Sequence, residues 1–233
     1  MLRKMMAAVA LLTVGAMAVP VTLHDILGYA GTEKYKDTHA EAVMLTDTDG
    51  FNDDATAFLF LEVAGFKDNN AFGIYSYSVD ALGVVTVIDQ LEVFSGSAEA
   101  ITSATIHFDL AAGVATHAST NETANIGKKF GLYLSNTKND PGDGIVGFTW
   151  YSHASLNRDG YDHFMIFNTS DNSIGQLLGS DVVVAIEDLA WGGDKDFNDM
   201  VIGMSDVIPV SEPAIIGLLG LGLLGLAAIR RRK

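Results

Sequence analysis

The residues with the clearest chemical potential lie in one segment, 187–199, which holds five carboxylates and one asparagine. Apolar runs at 182–186 and 200–204 flank the segment, and we predict that both are buried strands. Crowded carboxylates repel one another and are costly to desolvate without a positive charge among them, and Lys195 is the segment's one base. Oxygen donors therefore predict a bound hard cation, Ca²⁺ in preference to Mg²⁺. A solvated acidic turn and a catalytic carboxylate pair remain alternatives.

The spacing within this segment resembles a calcium loop but is not an EF-hand. Asp194, Asp196 and Asn198 alternate as in such a loop, whereas Asp199 replaces the turn glycine and Ser205 replaces the bidentate glutamate. The remaining oxygens must therefore come from elsewhere, and a Gly192-Gly193 turn would return the chain toward its start. The predicted ligands are Glu187, Asp188, Asp194, Asp196, Asn198 and Asp199.

A second oxygen-rich turn precedes a further predicted strand. Asn157, Asp159 and Asp162 could hold a second ion or complete the first site. The alternative is an Asx-type turn, in which Asn and Asp side chains accept hydrogen bonds from nearby backbone N–H groups.

The elements that must position these residues are mostly strands. About ten short β-rich segments are separated by turns rich in Gly, Asn and Asp, and no long amphipathic helix is evident. Residues 105–110 alternate, so that Ile106, Phe108 and Leu110 share a face. We predict an all-β domain over 44–206, a β-sandwich or jelly-roll. Residues 19–43 form a lead-in segment, with a short helix around 23–27.

One short motif occurs twice in the predicted sheets. Residues 72–75 read Phe-Gly-Ile-Tyr and residues 130–133 read Phe-Gly-Leu-Tyr, although the intervening sequences do not match. We interpret the pair as two strands that pack in the same way, with glycine allowing close approach beneath an aromatic ring.

Composition excludes several classes of function. The formal net charge is −15, and six of the 14 bases lie at the two chain ends, so the central domain is more acidic still. That sign disfavours nucleic-acid binding. There is no cysteine, which excludes disulfides and thiolate metal sites.

The first 18 residues have the three parts of a secretory signal peptide. Arg3 and Lys4 form a positive region, an apolar run follows, and Ala16 and Ala18 define a small-x-small cleavage site. The apolar run is too short to span a membrane. We therefore expect export across the inner membrane.

The last segment, 207–233, has three parts: Ser211, Glu212 and Pro213, then an apolar run, then a terminal Arg-Arg-Arg-Lys cluster. This arrangement resembles the PEP-CTERM sorting signal of Gram-negative bacteria, with Ser211 where the family usually has proline. The resemblance implies partners in the secretion machinery and an exosortase, with delivery to the cell surface or extracellular matrix. A short transmembrane helix in the tail would anchor the protein transiently, its basic end cytoplasmic.

The body, over roughly 44–206, resembles a secreted bacterial domain family of unknown function. The distinctive match is an acidic motif, Glu-Asp followed after five residues by Asp-x-Asp-Phe-Asn-Asp, at 187–199. Weaker matches lie at 71–75, 130–134 and 151–163. The resemblance implies a secreted domain but supplies no reaction.

Together these features predict a non-catalytic domain, stabilised by calcium, that acts in adhesion or in exopolysaccharide and biofilm association. The alternative is a carbohydrate-acting hydrolase that uses a carboxylate pair such as Glu187 and Asp199, which would need two carboxyls about 5–10 Å apart facing a cleft. Carboxylates that converge on one point would favour the ion, whereas two acids across an open groove would favour the enzyme.

Overall fold

The structure is a computed structural model. It describes residues 23, 27, 37–46, 52–62, 69–139, 146–169 and 179–211. The predicted signal peptide with Ala16 and Ala18, the sorting residues Glu212 and Pro213, and the predicted tail helix lie outside these described residues. Within the described part of the chain, no helix is long and apolar enough to cross a membrane.

Thirteen strands lie within the described residues, which confirms the prediction of an all-β domain. They are β1 (Ala42–Leu45), β2 (Asn52–Glu62), β3 (Asn70–Val79), β4 (Val85–Phe94), β5 (Thr102–Asp109), β6 (Val114–His117), β7 (Thr123–Ala124), β8 (Lys129–Asn139), β9 (Val146–Tyr151), β10 (Phe164–Asn168), β11 (Val182–Ile186), β12 (Met200–Ser205) and β13 (Val207–Val210). Short 3₁₀ turns at Ala154–Leu156 and Ala190–Gly192 lie in the connections between strands.

The strands form two antiparallel sheets. One has the order β13-β1-β8-β3-β4, with β9 also paired to β8, and the other has the order β10-β11-β12-β2-β5-β6-β7. The chain crosses from the first sheet to the second between β1 and β2. Strands from the two ends of the sequence are neighbours in both sheets, since β1 pairs with β13 and β2 pairs with β12. Apolar faces of both sheets meet in one core, which confirms the predicted β-sandwich.

The core contains the side chains expected from strand alternation. In β5, Ile106 and Phe108 are buried and Leu110 packs partly buried against the same cluster, as the sequence pattern predicts. Phe108 stacks on Phe130 of the opposite sheet with ring centroids 5.4 Å apart. Stacked rings of this kind add to the stabilisation that burial of apolar surface provides.

Strand β11 is buried on both faces because a second apolar cluster covers its outer side. Leu23 and Leu27 are both helical, as predicted, and both are buried. Four residues apart, they lie on one helix face and pack in a cluster with Val183, Ala185 and Val201. These two residues of the lead-in segment are therefore part of the packed structure.

The repeated Phe-Gly-x-Tyr motif has a direct structural explanation. Strands β3 and β8 are paired so that Gly73 lies opposite Tyr133 and Tyr75 lies opposite Gly131. A Cβ atom added at either glycine would overlap the ring of the opposite tyrosine. Each tyrosine therefore lies across the backbone of the neighbouring strand, and glycine provides the close approach that the motif predicts.

Substitution of Gly131 by alanine is expected to lower the free energy of unfolding by about 1–3 kcal/mol, because the new methyl group displaces the buried Tyr75 ring. Urea denaturation would measure the change. Gly127→Ala is the matched control, since no atom lies within 4 Å of the corresponding Cβ position. Equal effects of the two substitutions would contradict the packing role of Gly131.

Candidate metal centre

The acidic segment connects β11 to β12 through a loop of unusual backbone geometry. Positive φ angles occur at Trp191, Gly192, Gly193, Lys195 and Phe197. Left-handed conformations are unfavourable for non-glycine residues, and such strain persists only where surrounding contacts impose it. The loop therefore holds its carboxylates in a conformation that a relaxed acidic turn would not adopt.

The loop brings all five of its carboxylates into close proximity. Carboxylate oxygens of Glu187, Asp194 and Asp196 lie within 4.8 Å of one another, and so do those of Glu187, Asp188 and Asp199. These are five of the six ligands predicted in this loop. Each set has the spacing that ligands of one cation require, and Glu187 belongs to both.

Asn198, the sixth predicted ligand in the loop, is buried and contacts one of the five acids. Its Nδ2 donates to Asp196 Oδ2 at 2.6 Å, and its backbone N–H donates to Asp196 Oδ1 at 3.2 Å. The contacts orient the Asp196 carboxylate toward its neighbours in the cluster.

Glu187 is the centre of the cluster and the most deeply buried of the acids, with 0% of its surface exposed. Its Oε1 accepts a long 3.4 Å hydrogen bond from Leu189 N–H, and among the described residues its Oε2 has no hydrogen-bond partner. Burial, together with the neighbouring Asp199 charge, raises the pKa of Glu187 to about 8. Without a proton or a cation, this carboxylate would carry an uncompensated buried charge.

The pKa values of two other acids in the cluster are also raised. Burial raises the pKa of Asp199 above its usual range, despite a 2.9 Å hydrogen bond from Asp188 N–H to Asp199 Oδ2. Burial and the nearby Asp194 charge also raise the pKa of Asp196. A shared upward shift indicates that the set lacks positive charge.

The opposite sheet supplies hydrogen-bond donors that fix the start of the loop. Trp150 of β9 donates from Nε1 to the Asp188 carbonyl at 2.7 Å. Asn70 of β3 donates from Nδ2 to Asp188 Oδ2 at 2.8 Å, and Asn136 of β8 donates to Asn70 Oδ1. The candidate centre is therefore positioned by both layers of the sandwich.

His163, the histidine that lies nearest to the two acidic turns in the sequence, contacts the loop directly. Its Nδ1 donates to the Glu187 carbonyl at 2.8 Å, and its Nε2 lies 3.1 Å from Asp159 Oδ2. The ring is fully buried and stacks on Trp150, with centroids 3.9 Å apart and an interplanar angle of 9°. Because both ring nitrogens face oxygen acceptors, a protonated ring satisfies both contacts and places a positive charge beside the acidic loop.

Asp159 supports the loop from outside the cluster. It accepts hydrogen bonds from the backbone N–H groups of Trp191 at 2.7 Å and Tyr161 at 2.9 Å. Burial alone would raise the pKa of Asp159, but these hydrogen bonds and the adjacent His163 lower it below its usual range. This carboxylate therefore fixes the conformation of the loop at Trp191.

The other two predicted ligands of the second turn contact its backbone. Asn157 bonds to both backbone groups of Tyr151 and to the Tyr161 carbonyl, and Asp162 Oδ1 accepts from Phe164 N–H at 3.1 Å. Asp159 and Asp162 belong to neither set of converging carboxylates. Each accepts a hydrogen bond from the backbone N–H group two residues further on, as in the Asx-type alternative, whereas Asn157 fixes the backbone of the turn at Tyr151.

Comparison with known families identifies both parts of the chain. Residues 209–233 match the PEP-CTERM protein-sorting motif, which marks an exported protein that an exosortase sorts to a surface or extracellular location. Residues 118–206 match DUF4114, a domain of unknown function, in the region that contains the candidate metal centre. The chain thus carries a PEP-CTERM sorting motif and, over the later part of its β domain, a match to a domain of unknown function, and both were indicated by the sequence resemblances. No curated protein and no solved structure matches the chain.

Proposed function

We propose that this exported protein is a non-catalytic, calcium-stabilised β-sandwich that acts in adhesion or exopolysaccharide association. In this proposal, Ca²⁺ binds the acidic loop between β11 and β12 and neutralises its carboxylates. The bound ion fixes the loop geometry, and the loop carries an exposed aromatic contact residue at its surface.

The observation that carries the calcium proposal is the environment of Glu187. A fully buried carboxylate with an unpartnered oxygen and four further acids nearby is stable only with a bound proton or a compensating cation, and a cation can also neutralise its neighbours. Oxygen-only donors within one ion's reach favour a hard cation, and an irregular loop suits the flexible coordination of Ca²⁺ better than the octahedral demand of Mg²⁺.

The same geometry gives less support to the hydrolase alternative. A glycosidase needs its two carboxyls on either side of the bond that is cleaved, with room for the sugar between them. Glu187 and Asp199 belong to one converging set, and Glu187 is completely buried. That arrangement resembles a set of ligands more than an open cleft.

Calcium is expected to raise the melting temperature of the purified full-length protein relative to the same protein in EDTA. At a calcium concentration one hundred times Kd, binding stabilises by about 2.7 kcal/mol, equivalent to roughly 5–10 °C for a domain of this size. Thermal melts in EDTA, millimolar Ca²⁺ and millimolar Mg²⁺ would measure the effect. An unchanged melting temperature in calcium would reject the proposed ion site.

Trp191 is our candidate contact residue for the polysaccharide. Its side chain is 65% exposed, whereas its backbone is held by Asp159, so the ring is presented to solvent from a fixed position. Flat aromatic surfaces of this kind stack on the apolar faces of sugar rings. A calcium ion nearby would also reduce the repulsion between this acidic protein and an acidic polysaccharide.

Trp191→Ala is expected to reduce calcium-dependent binding to an acidic polysaccharide such as alginate at least tenfold, while the thermal response to calcium is retained. Sedimentation with the polysaccharide in calcium and in EDTA would measure binding. Leu82→Ala is a suitable control, since Leu82 is also an exposed apolar residue but lies on the β3–β4 turn. Undiminished binding by Trp191→Ala would remove this residue from the proposed surface.

A further inference from the structure

We propose that the acidic loop holds two calcium ions that share Glu187 as a bridging ligand. This inference rests on the proposed function, because it specifies how the proposed calcium site is built. An inner ion would be bound by Glu187, Asp188 and Asp199, and an outer ion by Glu187, Asp194 and Asp196.

The first argument is the division of the ligands. Calcium–oxygen distances are about 2.3–2.6 Å, so two oxygens bound to one ion lie at most about 5 Å apart. The five acids form two sets that meet this condition, and only Glu187 is common to both sets. One ion therefore accounts for three of the carboxylates, whereas two ions with a shared glutamate account for all five.

The second argument is charge. Five ionised carboxylates beside one divalent cation would leave three negative charges uncompensated, in a region where Glu187 and Asp188 are almost completely buried. Two divalent cations would leave one. Lys195, the one base of the segment 187–199, carries a single positive charge, equal in size to that remainder.

The third argument is the environment of the shared residue. Glu187 has a buried Oε2 with no hydrogen-bond partner among the described residues, which leaves this oxygen available to an ion. Its Oε1 lies against the backbone of Gly193, where an added Cβ atom would overlap it. Glycine at position 193 thus allows the outer half of the loop to fold directly onto the carboxylate that both sets share.

The two positions differ in their access to solvent. Asp188 in the inner set is 1% exposed and therefore buried, whereas Asp194 in the outer set is exposed. The inner ion would therefore be structural. The outer ion would keep coordination positions open to water or to an external oxygen ligand, such as the hydroxyl or carboxylate groups of a saccharide.

The test is the stoichiometry of calcium binding to the full-length protein after removal of bound metal with EDTA, measured by isothermal titration calorimetry. The expected result is two ions per chain for the parent and one for Asp194→Ala, which removes a ligand of the outer set only. Asp194 is exposed, so this variant is expected to fold. Glu99→Gln removes one exposed carboxylate charge outside the cluster and should still bind two ions.

Other outcomes separate this inference from the proposed function. A parent protein that binds one ion per chain would overturn the two-ion arrangement but leave the calcium-stabilised domain intact. Two ions in both the parent and Asp194→Ala would also overturn the assignment of the outer set. No calcium binding by the parent would overturn the inference and the proposed function together.

Discussion

Replacement of Glu187 by glutamine is expected to stabilise the calcium-free protein and to abolish its stabilisation by calcium. Glutamine has almost the same shape but no charge, so the cost of burying an unpaired carboxylate beside Asp199 disappears. Its amide can also donate a hydrogen bond within the cluster. In EDTA at pH 8, the free energy of unfolding should rise by about 1–2 kcal/mol.

In calcium, the same substitution should remove most of the stabilisation that the parent shows, about 2.7 kcal/mol at one hundred times Kd. Urea denaturation of both proteins in EDTA and in calcium would give the four free energies. Glu99→Gln removes the same charge from an exposed residue, and it should leave the free energies of unfolding in EDTA and in calcium near those of the parent. If Glu187→Gln instead lowered stability equally in EDTA and in calcium, Glu187 would have a purely structural role.

The second large effect is a loss of stability with rising pH in the absence of calcium. The pKa of Glu187 is about 8 in the folded protein, above its ordinary value of 4.5. Between these two pH values the folded protein retains a proton that the unfolded chain releases, so stability falls as the pH rises through this interval. The raised pKa values of Asp196 and Asp199 act in the same direction.

The free energy of unfolding in EDTA should therefore decrease by a few kcal/mol between pH 5 and pH 9. Melting temperatures at one-unit intervals across this range would measure the slope. Saturating calcium should flatten or reverse it, because the ion replaces the proton and binds the deprotonated ligands more tightly. An identical slope in Glu187→Gln would assign the pH dependence to other groups.

The acidic loop was predictable because its ligands are close in sequence. Glu187 and Asp199 are separated by one turn between two apolar runs, so their approach follows from antiparallel pairing of β11 with β12. The division into two sets was not predictable. It depends on the positive φ angles at residues such as Lys195 and Phe197, which no general residue preference specifies.

The support for the loop was harder to foresee because it comes from distant parts of the chain. Asn70 and Trp150 reach Asp188 only because the two sheets pack face to face. His163 could have been found from pairing, since the register of β10 with β11 places Phe164 opposite Ile186 and therefore His163 beside Glu187. A histidine that lies opposite an acidic cluster in a predicted hairpin is therefore the sequence pattern that indicates contact with the loop.

The overall β-sandwich followed from alternating apolar residues and frequent turn residues, but the number of strands did not. Strands β6 and β7 have four and two residues, which is too short for any periodicity to be recognised. Leu23 and Leu27 lie in a weakly patterned segment, and they are buried because they pack on the outer apolar face of β11.

The position of β13 has a consequence for maturation. This strand ends at Val210 and pairs with Ala42 at the beginning of β1, while the sorting motif starts at residue 209. Only Ser211 separates the last strand from Glu212-Pro213, so an exosortase that cleaved there would act within two residues of an edge strand. Folding and proteolytic access would then involve the same few residues. A domain in which β13 pairs with β1 before cleavage would leave fewer unpaired residues accessible to the enzyme than a domain that folds after cleavage.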